Sequence, residues 1–371
     1  MTQEALLHLA QEKGTGYYIF DRTKLRENVQ TIRSAFGPQF DLAYSIKANY
    51  YEGLLRDSLE AGIRFDCASL MELQKLLTFG VPTDRIWVNT PYLTPALVTT
   101  AFENGVMLVA DSIEQLRVIS EGASQAGRPQ RIGLRLNFPA LEASRFGIAL
   151  DKATVSAIHQ LLENPLLQLS MLHTHFSGPV RSAEAFGERA QQLIDAYQYS
   201  FTGYPLEFLN VGGGMAGVMP AALAAQFNYD IPDWEAYAGA VKKAGIDTLP
   251  PSLKMVLEPG MALVSDTFGF LAEVMSIKTI GDRSIALLNT SHLFLKPTRH
   301  KKQLSFQVIE RSDSEAGTYE LAGITCMEND LLGVYQGALA KGDLVVFENV
   351  GAYTQSYRPD FIFEAPQVVE V

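Results

Sequence analysis

The chain is poor in cysteine, in long apolar runs and in positive charge, and each shortage removes a class of protein. Its two cysteines, Cys67 and Cys326, make no disulfide framework and suit a reducing cytoplasm. No stretch approaches the ~20 apolar residues of a membrane span. Thirty Lys and Arg against 41 Asp and Glu leave a formal net charge of −11. That is the wrong sign for a chain whose main partner is nucleic acid. The first ten residues carry Glu4 and His8 without a basic stretch leading into an apolar run, so they do not read as a signal peptide. Short-period repeats and low-complexity segments are also missing. What is plentiful is apolar surface: 47% of 371 residues supports one large domain and a smaller one.

Short apolar stretches alternate with helical patterns along most of that length. A helix is predicted at 23–36 from Leu25, Val29, Ile32 and Phe36, stopped by Gly37-Pro38. Leu42, Ala43, Tyr44 and Ile46 then mark a short strand with Lys47 at its end. Further strands are predicted at 63–68, 85–89, 106–110, 131–137, 167–175, 206–211 and 253–257. Helices are predicted at 52–61, 71–79, 95–104, 113–126, 153–162, 183–197 and 234–244. Eight strands, each coupled to a helix, predict a (β/α)8 TIM-type barrel rather than an open sheet. Their ends present Lys47, Asp66, Asn89, Asp111, Arg135 with Asn137, His173 with His175, Gly212-Gly213-Gly214, and Glu258. In a barrel these all meet at one mouth, where such folds place their chemistry.

After about residue 265 the pattern changes to strands at 270–277, 284–289, 304–309, 318–324 and 344–349, separated by turns and without a helix. This predicts an all-β C-terminal domain. Gly16-Tyr17-Tyr18-Ile19-Phe20 is expected to pair with its sheet, since a lone strand is unstable. The division is a barrel at 22–265 and a β-domain made of 1–21 with 266–371.

Lys47 has two readings. Burial at a strand end disfavours the ammonium and lowers its pKa, which would make it a nucleophile for carbonyl carbons. Alternatively its stem packs and its amine snorkels to water. Gly212-Gly213-Gly214 after a strand suits an anion, with phosphate the natural guest, although glycine clusters also form plain turns. It is neither a dinucleotide fingerprint nor a P-loop. His173 and His175, two apart on the predicted strand, point to one side and suggest a ring laid flat on a planar ligand. They could instead be a metal pair, but the following Phe176-Ser177-Gly178-Pro179 offers no carboxylate, so no metal is assigned. Glu258-Pro259-Gly260 fixes a carboxylate beside a tight turn, where it can keep a pyridine nitrogen protonated.

In their order and spacing these residues resemble the fold-type III pyridoxal-phosphate-dependent decarboxylases, the group of ornithine and diaminopimelate decarboxylases, over nearly the whole chain. The resemblance is carried by Tyr44-Ser45-Ile46-Lys47-Ala48-Asn49, Phe65-Asp66-Cys67-Ala68-Ser69 with Glu72, Arg145-Phe146-Gly147, His173-Thr174-His175, Gly212-Gly213-Gly214 and Glu258-Pro259-Gly260. Cys326-Met327-Glu328-Asn329-Asp330 and Gly351-Ala352-Tyr353-Thr354 follow near the end. It implies an architecture resembling alanine racemase and pyridoxal 5'-phosphate as cofactor. Lys47 would hold that cofactor as a Schiff base, with Asp66 and Arg135 nearby and His175 stacked on the ring. Glu258 would pair with the pyridinium. Gly213, Gly214, Gly260, Tyr353 and Ser177 would serve the phosphate. It further implies a homodimer with shared sites, in which Cys326 from the partner subunit returns a proton to Cα; otherwise Cys326 is a small buried hydrophobe.

The sequence also departs from the family pattern. The arginine expected after Glu-Pro-Gly is Met261, so one charged phosphate contact is missing. Ser177-Gly178 stand in reversed order. The acid usually following the cysteine, which grips the distal ammonium of a diamino acid, is Met327; Met327 and Asp330 are expected beside the substrate, with Lys296 and Arg299. The basic run Lys296-Pro297-Thr298-Arg299-His300-Lys301-Lys302 begins where the resemblance puts a substrate-side arginine. It is either a solvated loop or a carboxylate-binding site. The reading is therefore decarboxylation of an amino acid with a carboxylate-rich far end, such as a citrate conjugate in siderophore biosynthesis. The competing readings are a catalytically silent homologue acting as a regulator or binding protein, and a racemase on the related barrel, whose tyrosine motif cannot be placed.

Overall fold

The computed structural model describes residues 1–371 except 142–143, 177–180, 299, 312–313 and 315. Strands Phe40–Ser45, Arg64–Cys67, Ile86–Asn89, Met107–Ala110, Gln130–Asn137, Leu167–His173, Phe208–Asn210 and Lys254–Leu257 pair in parallel, each with the next. The last pairs with the first through Met255 and Phe40, which closes the predicted barrel. Side chains fill its interior: Ala43, Trp87, Met107, Val109, Met171, Phe208 and Val256 form one buried cluster. The floor below the mouth is thus solid, and the chemistry is confined to the strand ends.

The outer helices form where local chemistry starts and stops them. Asp21, Ser69, Thr94, Ser112, Asp151, Ser182 and Asp233 each accept a backbone N–H of the helix that follows. Gly80, Gly105 and Gly127 end three helices in the left-handed conformation, which costs glycine little.

Eight further strands form a second sheet, in the order Ser305–Ile309, Leu344–Glu348, Phe268–Ile280, Arg283–Leu288, Ala316–Ala322 and Leu331–Ala338, with Tyr17–Phe20 and Val368–Glu370 beside them. Tyr17–Phe20 pairs antiparallel with the start of Phe268–Ile280, as expected. The sheet is mixed, since Arg283–Leu288 runs parallel to Ala316–Ala322. It also carries a short helix, His292–Leu295, where none was expected. The junction with the barrel is aromatic: the Phe20 and Phe268 rings stack at 4.8 Å, with Tyr51 edge-on to both.

Two local differences from the sequence reading matter for the site. The sixth barrel strand ends at His173, so His175 does not share it. The chain bends away there: the Thr174 N–H donates to the Asn210 carbonyl, and a Cβ on Gly212 would stand 2.5 Å from the Thr174 carbonyl oxygen. Lys47 likewise lies not in a strand but in the 3-10 turn Ile46–Ala48 beyond it. No helix among the described residues is long and apolar enough to cross a membrane.

Candidate active site

A cavity of about 390 Å³ opens at the C-terminal mouth of the barrel, with Lys47, Arg135, Phe146, His175, Phe176 and Glu258 in its walls. The turn that carries Lys47 is fixed from the far end of the chain. Asn49 donates to the Gly351 carbonyl at 2.9 Å, the Tyr353 N–H to the Ala48 carbonyl at 2.7 Å, and the Ser356 hydroxyl to the Lys47 carbonyl at 2.7 Å. Tyr353 makes its bond at a φ of +56°, a strained setting for a side-chain-bearing residue.

The Lys47 amine lies 3.8 Å from Asp66 Oδ2, and 45% of its side chain stays accessible. Burial pulls its pKa down, but Asp66, and behind it Tyr353, Glu258 and Glu72, pull harder, and the net shift is upward. The lowering expected from burial is therefore reversed. The acids responsible come from other elements, Glu72 from the helix Leu70–Phe79 among them, so no residue next to Lys47 in sequence announces them. Before any ligand enters, Lys47 is an ammonium. Asp66 shows the other side of this balance: burial raises its pKa, the Glu258 charge adds to that, and Lys47 and a hydrogen bond from Ser45 pull it back. Its Oδ1 has no hydrogen-bond partner among the described residues. Glu72 is spent locally, accepting the Ala68 N–H at 2.6 Å.

Glu258 is buried at the end of the last barrel strand. Asn210 donates to its Oε1 at 2.8 Å, while His173 Nε2 and His175 Nδ1 stand 3.6 and 3.7 Å from Oε2, beyond hydrogen-bond reach. Burial opposes its charge, yet His173, and after it His175, hold it well below the usual carboxylate range. His175 is neutral: burial takes it down to about 4, and its Nδ1 accepts the Gly213 N–H at 2.9 Å. The ligand atoms of His173, His175 and Glu258 all fall within 4.8 Å of one another, so the carboxylate missing from the histidine motif does arrive from another strand. However, His175 Nδ1 and Glu258 Oε1 are already engaged by Gly213 and Asn210, which leaves this trio a poor closed metal site.

The glycine loop works by close approach. A Cβ on Gly213 would stand 2.2 Å from the Glu258 carbonyl oxygen, and Gly214 has a φ of +96°. Arg189, buried on the helix Ala183–Ala196, braces the loop from outside by donating to the carbonyls of Val211, Gly213 and Phe176. Sequence reasoning missed Arg189. Its signal was an arginine on an apolar helix face, between Phe186 and Leu193.

Arg135 is buried and lies 3.6 Å from Asp111, with its guanidinium over the Phe146 ring. Burial lowers its pKa, and Asp111 counteracts this. Gly260 opens the short helix after Glu258, at a φ of +20°. Ser177 lies outside the described residues.

On the second sheet, Cys326 is exposed, so it is not a small buried hydrophobe, and it is not part of the wall of its own barrel's cavity. Asp330, expected near the substrate, is buried and saturated. Its Oδ1 accepts from the Ser291 hydroxyl, the His292 N–H and His292 Nδ1, and its Oδ2 from the N–H and hydroxyl of Thr325. Burial opposes the Asp330 charge and these donors outweigh it, so its pKa is lowered. With both oxygens engaged, Asp330 holds the Cys326 loop in shape and has no oxygen left for a ligand. Met327 packs against the core. Lys296 lines a second cavity of about 160 Å³, together with Met261, His300 and Tyr353.

An accessible lysine, a buried carboxylate held ionised and a neutral imidazole around one cavity, with a glycine loop bonded to that imidazole, suit a phosphorylated pyridine aldehyde. The residues present fit that group: Asp66 Oδ1 and Glu258 Oε2 offer oxygens not taken by short hydrogen bonds, and the glycine loop would be filled by any side chain. Residues 22–265 match the model of the pyridoxal-dependent decarboxylase family, pyridoxal binding domain. The chain belongs to this family, and pyridoxal phosphate is its cofactor. It is 26% identical over 371 residues to the diaminopimelate decarboxylase of Neisseria meningitidis, which covers 95% of this chain and 86% of the relative. Its fold matches the diaminopimelate decarboxylase of Helicobacter pylori complexed with L-lysine at a TM-score of 0.81 and 22% identity, covering 95% and 90% of the two chains. It matches the Vibrio vulnificus lysine/ornithine decarboxylase complexed with putrescine at a TM-score of 0.84 and 20% identity, covering 100% and 99%. The protein is a pyridoxal-phosphate-dependent amino-acid decarboxylase.

The neutral state of His175 has a measurable consequence. Between its ordinary 6.5 and about 4, the unfolded chain takes up a proton that the folded chain refuses. Stability therefore falls as pH drops through that window. His175→Gln, which cannot titrate, should flatten the fall, measured by denaturant unfolding at about pH 7 and about pH 4.5. Equal slopes in both proteins would contradict a neutral His175.

Proposed function

We propose that this decarboxylase acts on an amino acid whose far end carries one or more carboxylates, such as a citrate conjugate of the kind made for siderophores. The observation that carries the reading is Lys296. Its amine faces the smaller cavity beside Tyr353, and burial lowers its pKa. Its hydrogen-bond partner there is the Lys302 carbonyl, and no carboxylate among the described residues pairs with it. Glu348, in the same wall, is engaged by the Ser305 hydroxyl. A partly desolvated ammonium of this kind gains most from a carboxylate guest. Met327, apolar and packed, gives nothing to a distal ammonium. Arg299, expected to share the role, lies outside the described residues.

The chemistry that pyridoxal phosphate supplies when bound is an electron sink for the pair left behind as carbon dioxide departs. The chain's residues prepare for it. Lys47 Nζ must lose a proton before it can attack a carbonyl, and the Asp66 carboxylate lies beside it, with Oδ2 3.8 Å away. Glu258 stays anionic and so favours a protonated ring nitrogen, while Asn210 fixes its orientation. The neutral His175 ring can lie against the cofactor without adding charge. Gly213, Gly214, Gly260 and Tyr353 would hold the phosphate, and Arg135 with Asp111 would close the opposite wall.

Cys326 is read as the proton donor to Cα, delivered by a partner subunit. Its exposure and the saturation of Asp330 support this, because a loop this firmly held but facing outward suits a shared site. Exposed apolar side chains at Phe361, Ile362 and Phe363, just after the Tyr353 loop, support a homodimer covering the mouth. The barrel at 22–265 and the β-domain at 1–21 with 266–371 would then meet across the subunits.

Two measurements test this. Carbon dioxide release should be faster from carboxylate-bearing conjugates than from lysine or ornithine, and Lys296→Gln should raise KM for the conjugate at least about tenfold while hardly affecting a simple amino acid. Lysine or ornithine as best substrate, or an unchanged KM, would refute the assignment. Separately, mixing inactive Lys47→Ala and Cys326→Ala chains should restore activity through hybrid dimers with one intact site. No recovery after subunit exchange would count against shared sites.

A further inference from the structure

Most of the positive charge around the mouth has a partner. Lys47 faces Asp66, Arg135 faces Asp111, Arg189 is bound to three carbonyls, and the exposed Arg145 stacks on the Phe146 ring. Arg181 differs. Its backbone is fixed: the Tyr237 hydroxyl donates to the Arg181 carbonyl at 2.6 Å and accepts the Ala216 N–H at 3.2 Å. One hydroxyl thus ties Arg181 to the downstream end of the glycine loop. Its side chain reaches the next segment, where Nη1 lies 3.9 Å from the Met261 sulfur. That segment packs on the same loop, since a Cβ on Gly217 would stand 2.5 Å from the Ala262 carbonyl oxygen. Arg181, the loop and the turn after Glu258 therefore form one packed unit.

A thioether is a weak acceptor and a poor counterpart for a guanidinium. No carboxylate among the described residues forms an ion pair with Arg181, although the chain carries an excess of acids. Arg181 is half-buried and anchored by its backbone, and among the described residues its guanidinium meets the Met261 sulfur, which leaves it donors to spare beside a glycine loop suited to an anion. Arg189 cannot fill this role, because its donors hold the loop from behind.

We propose that Arg181 supplies, from a different element of the fold, the positive charge absent at position 261, and that its guanidinium pairs with the cofactor's phosphate. A swing about the arginine stem past the flexible Met261 side chain brings the fork to the loop. The cation has changed its place in the sequence while keeping its side of the site. The proposal rests on the cofactor alone and not on the substrate reading above, so the two can fail independently.

The test is cofactor affinity. Holoenzyme is stripped of cofactor and retitrated with pyridoxal phosphate or with pyridoxal, which lacks the phosphate, and binding is followed by absorbance. Arg181→Gln should raise the Kd for pyridoxal phosphate on the order of 10- to 100-fold and leave the Kd for pyridoxal unchanged. Adding Met261→Arg to that variant should restore most of the affinity. Should Arg181→Gln fail to fold, Arg181→Lys keeps a charge with fewer donors and should weaken only the phosphorylated ligand. An unchanged Kd for pyridoxal phosphate, or equal weakening of both ligands, would overturn the proposal. So would a raised substrate KM with cofactor affinity intact, which would set Arg181 against a substrate carboxylate instead.

Discussion

A carboxylate kept ionised in a buried place is the constraint around which this mouth is arranged. Removing Glu258 from water favours its neutral form. His173 and His175 reverse that preference, and the Asn210 amide orients the carboxylate. Asn210 also accepts the Gly212 N–H, and His175 accepts the Gly213 N–H. The glycine loop, the carboxylate and the ring that would cover the cofactor are therefore one hydrogen-bonded unit. Arg189 clamps its outer side. Such a network orients its members together, and a single loosened member would misplace the rest.

The same charge adds to the hold on Lys47. Asp66 first, with Tyr353, Glu258 and Glu72 behind it, keeps the free amine an ammonium, so the site rests with its nucleophile protonated. Asp66, raised by burial and by Glu258, sits between them as a group that can gain or lose a proton near neutrality. The second sheet completes this arrangement in two ways. Its 351–356 loop laces the Lys47 turn in place, and Asp330 shapes the loop that carries the exposed Cys326.

Much of this could be read from the sequence because its signals are local. Eight strand–helix units were visible in apolar spacing and in glycine stops, and the polar residues at strand ends do meet at one mouth. Lys47, His175 and Glu258 were found in this way. What escaped depends on contacts between distant segments. The acids that reverse the Lys47 shift lie on other elements. Asp330 looked like a ligand for substrate because a carboxylate near a cysteine carries no mark of being saturated by Thr325 and His292. The strand Leu331–Ala338 was missed because Gly333 and Gly337 interrupt its alternation, and ring atoms of Phe306 and Tyr335 occupy the space beside them. The sixth strand was extended to His175 because its bend is set by Asn210 and Gly212, on a neighbouring strand and the loop after it.

The central claim is that Lys47, held as an ammonium among Asp66, Glu72 and Glu258, is the residue to which the cofactor becomes attached. Borohydride reduction of the loaded protein, followed by peptide mapping, addresses it directly. The account predicts one labelled peptide, containing Lys47, and no label in Lys47→Ala protein that still melts cooperatively. A label on any other lysine, or label retained by Lys47→Ala, would contradict it.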